Sequence, residues 1–207
     1  MLSNPSCKQC RREGKKLFLK GDRCNSGKCA IVKRNYAPGM HGNKGFKKLT
    51  AYGSQLREKQ QAKRIYGITE AQLANYFVKA MRKRGETGAK LLELLEMRFD
   101  NVIYRLGISK SRIQARQMVR HNFFTLNDKK ANIPSIKVKV NDKIRLKKTK
   151  VNKVILQNLE KRIDVGNIPS WLFFNIKDKE SNVVSTPAIG EVNPQFDIKA
   201  IVEFYSR

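Results

Sequence analysis

Acidic side chains are scarce in this sequence, histidines are scarcer, and beyond residue 29 there is no cysteine. The 207 residues hold 17 Asp and Glu against 44 Lys and Arg, with two histidines, His41 and His121. No cluster of carboxylates stands out for general acid–base work. Glu93 and Glu96 sit among leucines and read as the exposed face of a helix. Both histidines lie in basic surroundings, so the sequence offers an enzyme little to work with. No apolar run is long enough to cross a bilayer. The opening MLSNPSC has neither the glycine of a lipidation signal nor the pattern of a cleaved leader. A reducing cytosol is the expected setting.

Positive charge is what the chain has in excess. A formal charge of +27 repels itself unless a polyanion neutralises it, which makes nucleic acid the leading partner. The excess is uneven. Residues 1–162 carry 40 Lys and Arg against 11 Asp and Glu, whereas residues 163–207 carry 4 against 6. The first three quarters therefore build the polyanion-facing surface. The tail, with Trp171, Phe173, Phe174, Phe196, Phe204 and Tyr205, reads as core and protein-contact material.

All four cysteines fall in CKQCRREGKKLFLKGDRCNSGKC, residues 7–29. The spacing is C-x2-C, thirteen residues, then C-x4-C. Pairs of thiolates two to four residues apart can grip one tetrahedral ion from a tight turn. Cys7, Cys10, Cys24 and Cys29 are therefore expected to hold a structural Zn2+, which replaces the core that so basic a segment cannot build. Neighbouring Lys and Arg are expected to lower the thiol pKa values. An iron–sulfur cluster is the competing metal group, and two disulfides or four free thiols are the metal-free alternatives. GDRCNSGK imitates a phosphate-cradling loop, but Cys29 stands in the Ser/Thr place and no apolar strand precedes it, so a nucleotide site is rejected.

Residues 30–48 carry Pro38 and three glycines among basic residues and read as an irregular segment. Lys33, Arg34, Lys44, Lys47 and Lys48 are its candidate counter-ions, with Tyr36 or His41 placed to stack. From Thr50 a helix runs to Gly67. Thr69 opens another, with Gln72 completing a capping box and Gly85 ending it. TGAKLLELLEMRFDNVIYRLG reads as a third, continuous helix that puts Arg98 and Arg105 two turns apart on one side. In SRIQARQMVRH, Arg112, Arg116 and Arg120 span a sector of roughly 80°, with no Glu or Asp in the segment to pair them. FFTLNDKK reads as a hairpin turning at Asn127-Asp128. IKVKVNDKIRLKK alternates, with Ile136, Val138, Val140, Ile144 and Leu146 on one face. Lys137, Lys139, Lys143, Arg145 and Lys147 fall on the other, as if on one long basic strand.

Taken together, CRREGKKLFLKGDRC, YGSQLREKQ, TGAKLLELLEMRFDNVIYRLG, SRIQARQMVRH, NIPS and the terminal IVEFYSR resemble the universal small-subunit ribosomal protein family S-four, of bacterial or organellar type. The cysteine spacing resembles that of its metal-binding branch. The resemblance implies an α+β fold: a helical domain (49–97 plus 188–207) interrupted by a small RNA-binding domain of two helices and a small β-sheet (98–187), after a zinc-binding basic extension (1–48). It implies a non-enzymatic, primary binder of small-subunit rRNA that nucleates assembly of the subunit body and supports translational accuracy. Neighbouring small-subunit proteins, and mRNA where it enters the subunit, are the further partners; no membrane or small-molecule substrate is implied. The implied location is the small subunit of a cytoplasmic or organellar ribosome.

Carried over by position, Ser111, Arg112, Arg116, Gln117, Arg120 and His121 form the RNA-binding element. Arg98 and Arg105 join it, with Arg11, Arg12, Lys15, Arg34, Lys47, Lys48, Arg57 and Arg64 from the first part of the chain. The chain departs from the family where Asn122 and Asp128 replace glycines, both being residues that tolerate left-handed backbone. Two other readings are open to the same residues. One is an RNA-modifying enzyme built on the same module, and the other is a zinc-dependent DNA-binding regulator that inserts the arginine helix into a major groove.

Overall fold

The computed structural model describes residues 6–45, 48–150, 163, 165–175, 178–188 and 190–207. The chain divides into two compact units. One comprises Met1–Leu91 with Pro194–Arg207, the other Leu92–Asn193. The observed borders thus fall at 91/92 and 193/194.

The first unit begins with three short helices, α1 (Ser6–Glu13), α2 (Asp22–Asn25) and α3 (Ala30–Lys33). Arg11 ties α1 to the following loop by donating to the carbonyls of Tyr36 (2.9 Å) and Ala37 (3.2 Å) while lying over the Tyr36 ring. That loop closes tightly at Gly42, where a Cβ would stand 1.9 Å from the Ala37 carbonyl oxygen. Helix α4 (Ala51–Tyr66) starts at Thr50, whose hydroxyl accepts from the Gly53 N–H, and stops at Gly67 in left-handed backbone. Helix α5 (Glu70–Met81) opens with the reciprocal Thr69–Gln72 capping box. It ends at Met81, with Arg82 as its cap, rather than running on to Gly85.

The C-terminal helix α9 (Ile198–Tyr205) packs on α4 and α5. Asp197 caps it by accepting from the N–H groups of Lys199 and Ala200. Tyr205 stacks on Phe77 at 4.9 Å, and Phe204 lies 5.5 Å from Tyr52. Lys59 is buried beneath these rings, 4.1 Å from the Phe204 centroid and 2.8 Å from a Glu70 oxygen that also accepts from the Tyr205 hydroxyl at 2.7 Å. Partial burial pushes the Glu70 carboxyl up, but hydrogen bonds from Lys59 and Tyr205 outweigh it and hold the group below the ordinary carboxylate range. Burial and the bond to Glu70 push Tyr205 up.

Helix α6 (Thr87–Glu96) is followed by the elements of the second unit: α7 (Phe99–Arg105), α8 (Arg112–Arg120) and five short strands. These are β1 (Phe124–Leu126), β2 (Lys129–Lys130), β3 (Lys143–Leu146), β4 (Leu172–Asn175) and β5 (Glu180–Val183), antiparallel in the order β2-β1-β3-β5-β4. Phe99, Val102 and Ile103 of α7, Ala115, Met118 and Val119 of α8, and Phe124, Ile144 and Trp171 from the sheet side make one buried core. Asn127 (φ 49°) and Asp128 (φ 62°) supply the two left-handed residues that a two-residue hairpin needs, and Asn122 (φ 58°) is left-handed as well.

Two expected elements come out differently. The third helix is broken. Met97 and Arg98 leave helical backbone, and the chain there pairs with residues 136–138 through Val138 N–H to Met97 carbonyl and Phe99 N–H to Ile136 carbonyl, each 2.9 Å. The alternating run is not one strand either. Asn141 turns left-handed (φ 69°), Val140 is exposed, and only Lys143–Leu146 joins the sheet. Its cations are also engaged: Lys137 pairs with Glu93 at 3.6 Å, and Arg145 with Glu180 at 2.8 Å and Asp128 at 2.5 Å. Alternation alone did not reveal the turn or the partners. No helix among the described residues is long and apolar enough to cross a membrane.

Two outcomes follow. Gly42→Ala must displace the loop at residues 37–42, and should cost about 1–3 kcal/mol of overpacking in urea unfolding, with faster proteolysis in that loop. Glu70 has a lowered folded-state pKa, so its stabilisation is present above the unfolded carboxylate pKa and lost as pH falls through the lowered value. Glu70→Gln should therefore be less stable than the parent at neutral pH, with the difference shrinking in acid; a difference independent of pH would contradict this.

Candidate nucleic-acid interface

In the second unit the arginines gather around two carboxylates. Helix α8 starts at Ser111, whose hydroxyl accepts from the Gln114 N–H at 3.2 Å. Its apolar sector, Ala115, Met118 and Val119, faces the core, which turns Arg112, Arg116 and Arg120 outward. Gln117, Arg120 and His121 are exposed; Arg112 and Arg116 are partly covered because α7 reaches them.

Glu96, at the end of α6, is fully buried. It accepts two hydrogen bonds from Arg105, both 2.8 Å, and one from the Asn101 amide at 2.7 Å. The Asn101 carbonyl oxygen in turn accepts from Arg112 Nε at 2.8 Å, and Arg112 lies 4.4 Å above the Tyr104 ring. A second carboxylate, Asp100, takes two 3.2 Å bonds from Arg98 and pairs with Arg116 at 3.4 Å. The sequence pattern alone sets Glu96 and Glu93 on an exposed face and shows no acid to pair the α8 arginines. The break at Met97 and Arg98 reverses both expectations, since it folds Glu96 and Asp100 inward against α8. The available signal was the D-N pair three residues beyond Met97, where a helix opens inside a run that otherwise reads as continuous.

Arg98, expected among the RNA-binding residues, is buried. It is 1% exposed, in extended backbone paired with residue 137, and its fork is spent on Asp100. It holds the array from within and presents no surface to a phosphate. Arg105 does, with 26% of its side chain exposed. In the same unit, Lys129 and Lys130 of the hairpin are exposed.

The first unit carries its own basic surface. Arg57 (3.3 Å) and Arg64 share one oxygen of Glu13, whose side chain is fully buried. Burial pushes the Glu13 carboxyl up against the pull of the two arginines, and burial likewise lowers Arg64. Lys15 is exposed beside Glu58 at 3.3 Å. Arg12, Arg34 and Lys48 are exposed, whereas Arg11 is committed to the Tyr36–Ala37 carbonyls. Lys47 lies outside the described residues. An open cavity of about 740 Å³ is lined by Lys8, Arg11, Arg23, Lys28, Lys33 and Arg34, with Cys7 and one acid, Asp22.

Cys7, Cys10, Cys24 and Cys29 line one small neighbouring pocket and form no disulfide. The Lys20 N–H donates to Cys24 Sγ at 3.3 Å. Burial pushes the Cys10 thiol up, reinforced by the other three sulfurs and opposed by a backbone hydrogen bond at Leu17, so the expected lowering by nearby cations does not prevail there. Among the described residues no group of three or more His, Cys, Asp or Glu side chains is arranged to hold a metal ion. His41 and His121 are both exposed and belong to different units.

A family model described as Ribosomal protein S4/S9 N-terminal domain matches residues 1–96, and one described as S4 domain matches residues 97–144. Among curated proteins, "Small ribosomal subunit protein uS4" of Desulforamulus reducens is 50% identical over 206 residues, covering 99% of this chain and 98% of that one. The protein of the same name from Clostridioides difficile is 49% identical over 204 residues (98% and 97%), and that of Geobacter sulfurreducens 50% identical over 207 (99% and 98%). An arginine array set on an S4 domain, and near-complete alignment with relatives sharing half its residues, lead to one conclusion: the chain belongs to the uS4 family of small ribosomal subunit proteins.

Proposed function

We propose that this chain is a non-catalytic constituent of the small ribosomal subunit that binds small-subunit rRNA as the subunit body assembles. The observation that carries this is the cluster of Arg105, Arg112 and Arg116 around Glu96 and Asp100, with Arg120 exposed on the same helix and Lys129 and Lys130 exposed on the hairpin of the same unit. Counting Arg98 within it, the cluster keeps a net positive charge after its two acids are matched. Guanidinium forks and lysines neutralise phosphates and release counter-ions, and RNA that folds to match the array is favoured over RNA that does not. Exposed Phe173, on the edge strand β4, supports contact with a neighbouring subunit protein. Support for translational accuracy and a place near incoming mRNA belong to the same reading.

The reading extends to zinc. Four undisulfided cysteines share one pocket at a spacing that suits a tetrahedral ion, with a backbone N–H directed at the Cys24 sulfur. Cys7, Cys10, Cys24 and Cys29 would hold the ion, whose role is to brace a segment poor in apolar residues.

Replacing Arg112 and Arg116 together by Ala should weaken binding to a folded small-subunit rRNA transcript. It should also reduce the slope of log affinity against log salt by about 1–2, and Arg120→Ala should reduce it by up to about 1. Unchanged slopes would remove α8 from the interface, and equal affinity for duplex DNA would remove the ribosomal reading. For the metal, elemental analysis should find about one zinc per chain. Chelation should make residues 6–34 protease-sensitive while the second unit keeps its protection. Purified protein without zinc, or chelation without effect on that segment, would end the metal proposal.

A further inference from the structure

Glu96 poses a problem for a surface built to attract RNA. A carboxylate placed directly beneath two of its arginines subtracts from the attraction, and burying it completely costs desolvation that an apolar residue of similar size would not incur. Its geometry answers that cost. Both oxygens engage Arg105 through Nε and Nη2 at 2.8 Å, a two-point grip that fixes the guanidinium plane while 26% of the side chain stays exposed. The same carboxylate accepts from the Asn101 amide nitrogen at 2.7 Å. That bond, with a second from the same nitrogen to the Glu96 backbone carbonyl at 2.9 Å, settles which way the amide points. With the nitrogen committed to Glu96, the amide oxygen must face Arg112, and it accepts from Arg112 Nε at 2.8 Å.

We propose that Glu96 is a positioning residue for RNA recognition. It orients Arg105 directly and Arg112 both through Asn101 and through a longer ion pair of 4.0 Å, giving up net attraction for a fixed spacing of guanidiniums that selects folded RNA. This rests on the rRNA-binding reading above and adds to it where selectivity comes from. Charge alone and positioning predict opposite signs. Glu96→Gln makes the protein more positive by one charge, so a purely electrostatic surface would bind every RNA at least as well. If Glu96 positions the array, the variant's amide group can no longer accept from all three donors, the Asn101 amide keeps only its 2.9 Å bond to the Glu96 backbone carbonyl, and the arginines lose their common geometry.

The experiment measures affinity for a magnesium-folded small-subunit rRNA transcript and for single-stranded polyuridylate, at several salt concentrations. Glu96→Gln should bind polyuridylate as well as the unaltered protein or better, and the transcript about tenfold more weakly. Arg105→Lys keeps the charge and loses the two-point grip, and should lower the same ratio with its salt slope unchanged. Because Arg105 is partly exposed, that variant decides the matter should Glu96→Gln not fold by circular dichroism. Retention of the parent's transcript-to-polyuridylate ratio in folded Arg105→Lys, or in folded Glu96→Gln, would overturn the proposal and leave the rRNA reading standing. Absence of any preference in the unaltered protein would sink both.

Discussion

A chain with 44 cationic side chains and 17 acidic ones has to keep its guanidiniums close together without letting them push the fold apart. Both units meet this constraint in the same way, with an inward carboxylate that two arginines share. Glu13 is shared by Arg57 and Arg64; Glu96 serves Arg105 and, through Asn101, Arg112; Asp100 serves Arg98 and Arg116. In each case one negative charge is set against two positive ones. Cohesion is gained and the surplus stays positive. Removing one of these acids would leave like charges packed together with nothing between them, which is why breaking a buried pair disrupts a fold far more than breaking an exposed one.

The rest of the architecture follows from that arrangement. The second unit needs a rigid floor under α8. The core of Phe99, Val102, Met118, Phe124 and Trp171 provides it, with Phe99 meeting Phe124 edge-on at 6.2 Å. The pairing of residues 97–99 with residues 136–138 then sets Glu96 and Asp100 on either side of a break, so that each reaches a different arginine of α8. A straight helix through this stretch would leave both acids unable to serve α8 in this way. The first unit has less of an apolar floor near its N-terminus and relies on polar ties there, such as Arg11 with the Tyr36 and Ala37 carbonyls.

Local signals in the sequence were dependable wherever neighbours along the chain determine the outcome. Thr50 and Gly67 bound α4, Thr69 and Gln72 form their capping box, and Asn127-Asp128 makes the hairpin turn, because each depends on residues within a few positions. The outward arginines of α8 were visible for the same reason, since their spacing and the apolar positions between them encode the face. What stayed hidden depended on distant partners. Arg98 looks like any other helical arginine until residues 136–138 arrive to pull it into extended backbone. Glu96 looks solvated until that break buries it. Lys137 and Arg145 look like a free basic stripe until Glu93, Glu180 and Asp128 meet them. Periodicity reports which face of an element a residue occupies, and it is silent on what the fold brings to that face.

The last helix has a consequence for how the molecule is made. α9 supplies Phe204 and Tyr205 to the same aromatic layer as Tyr52 and Phe77, yet these partners are synthesised at opposite ends of the chain. Residues 92–193, by contrast, are contiguous. In order of synthesis, the last residue of the second unit therefore precedes the last residue of the first. The amino-terminal half thus waits for a helix encoded after the whole of the arginine platform.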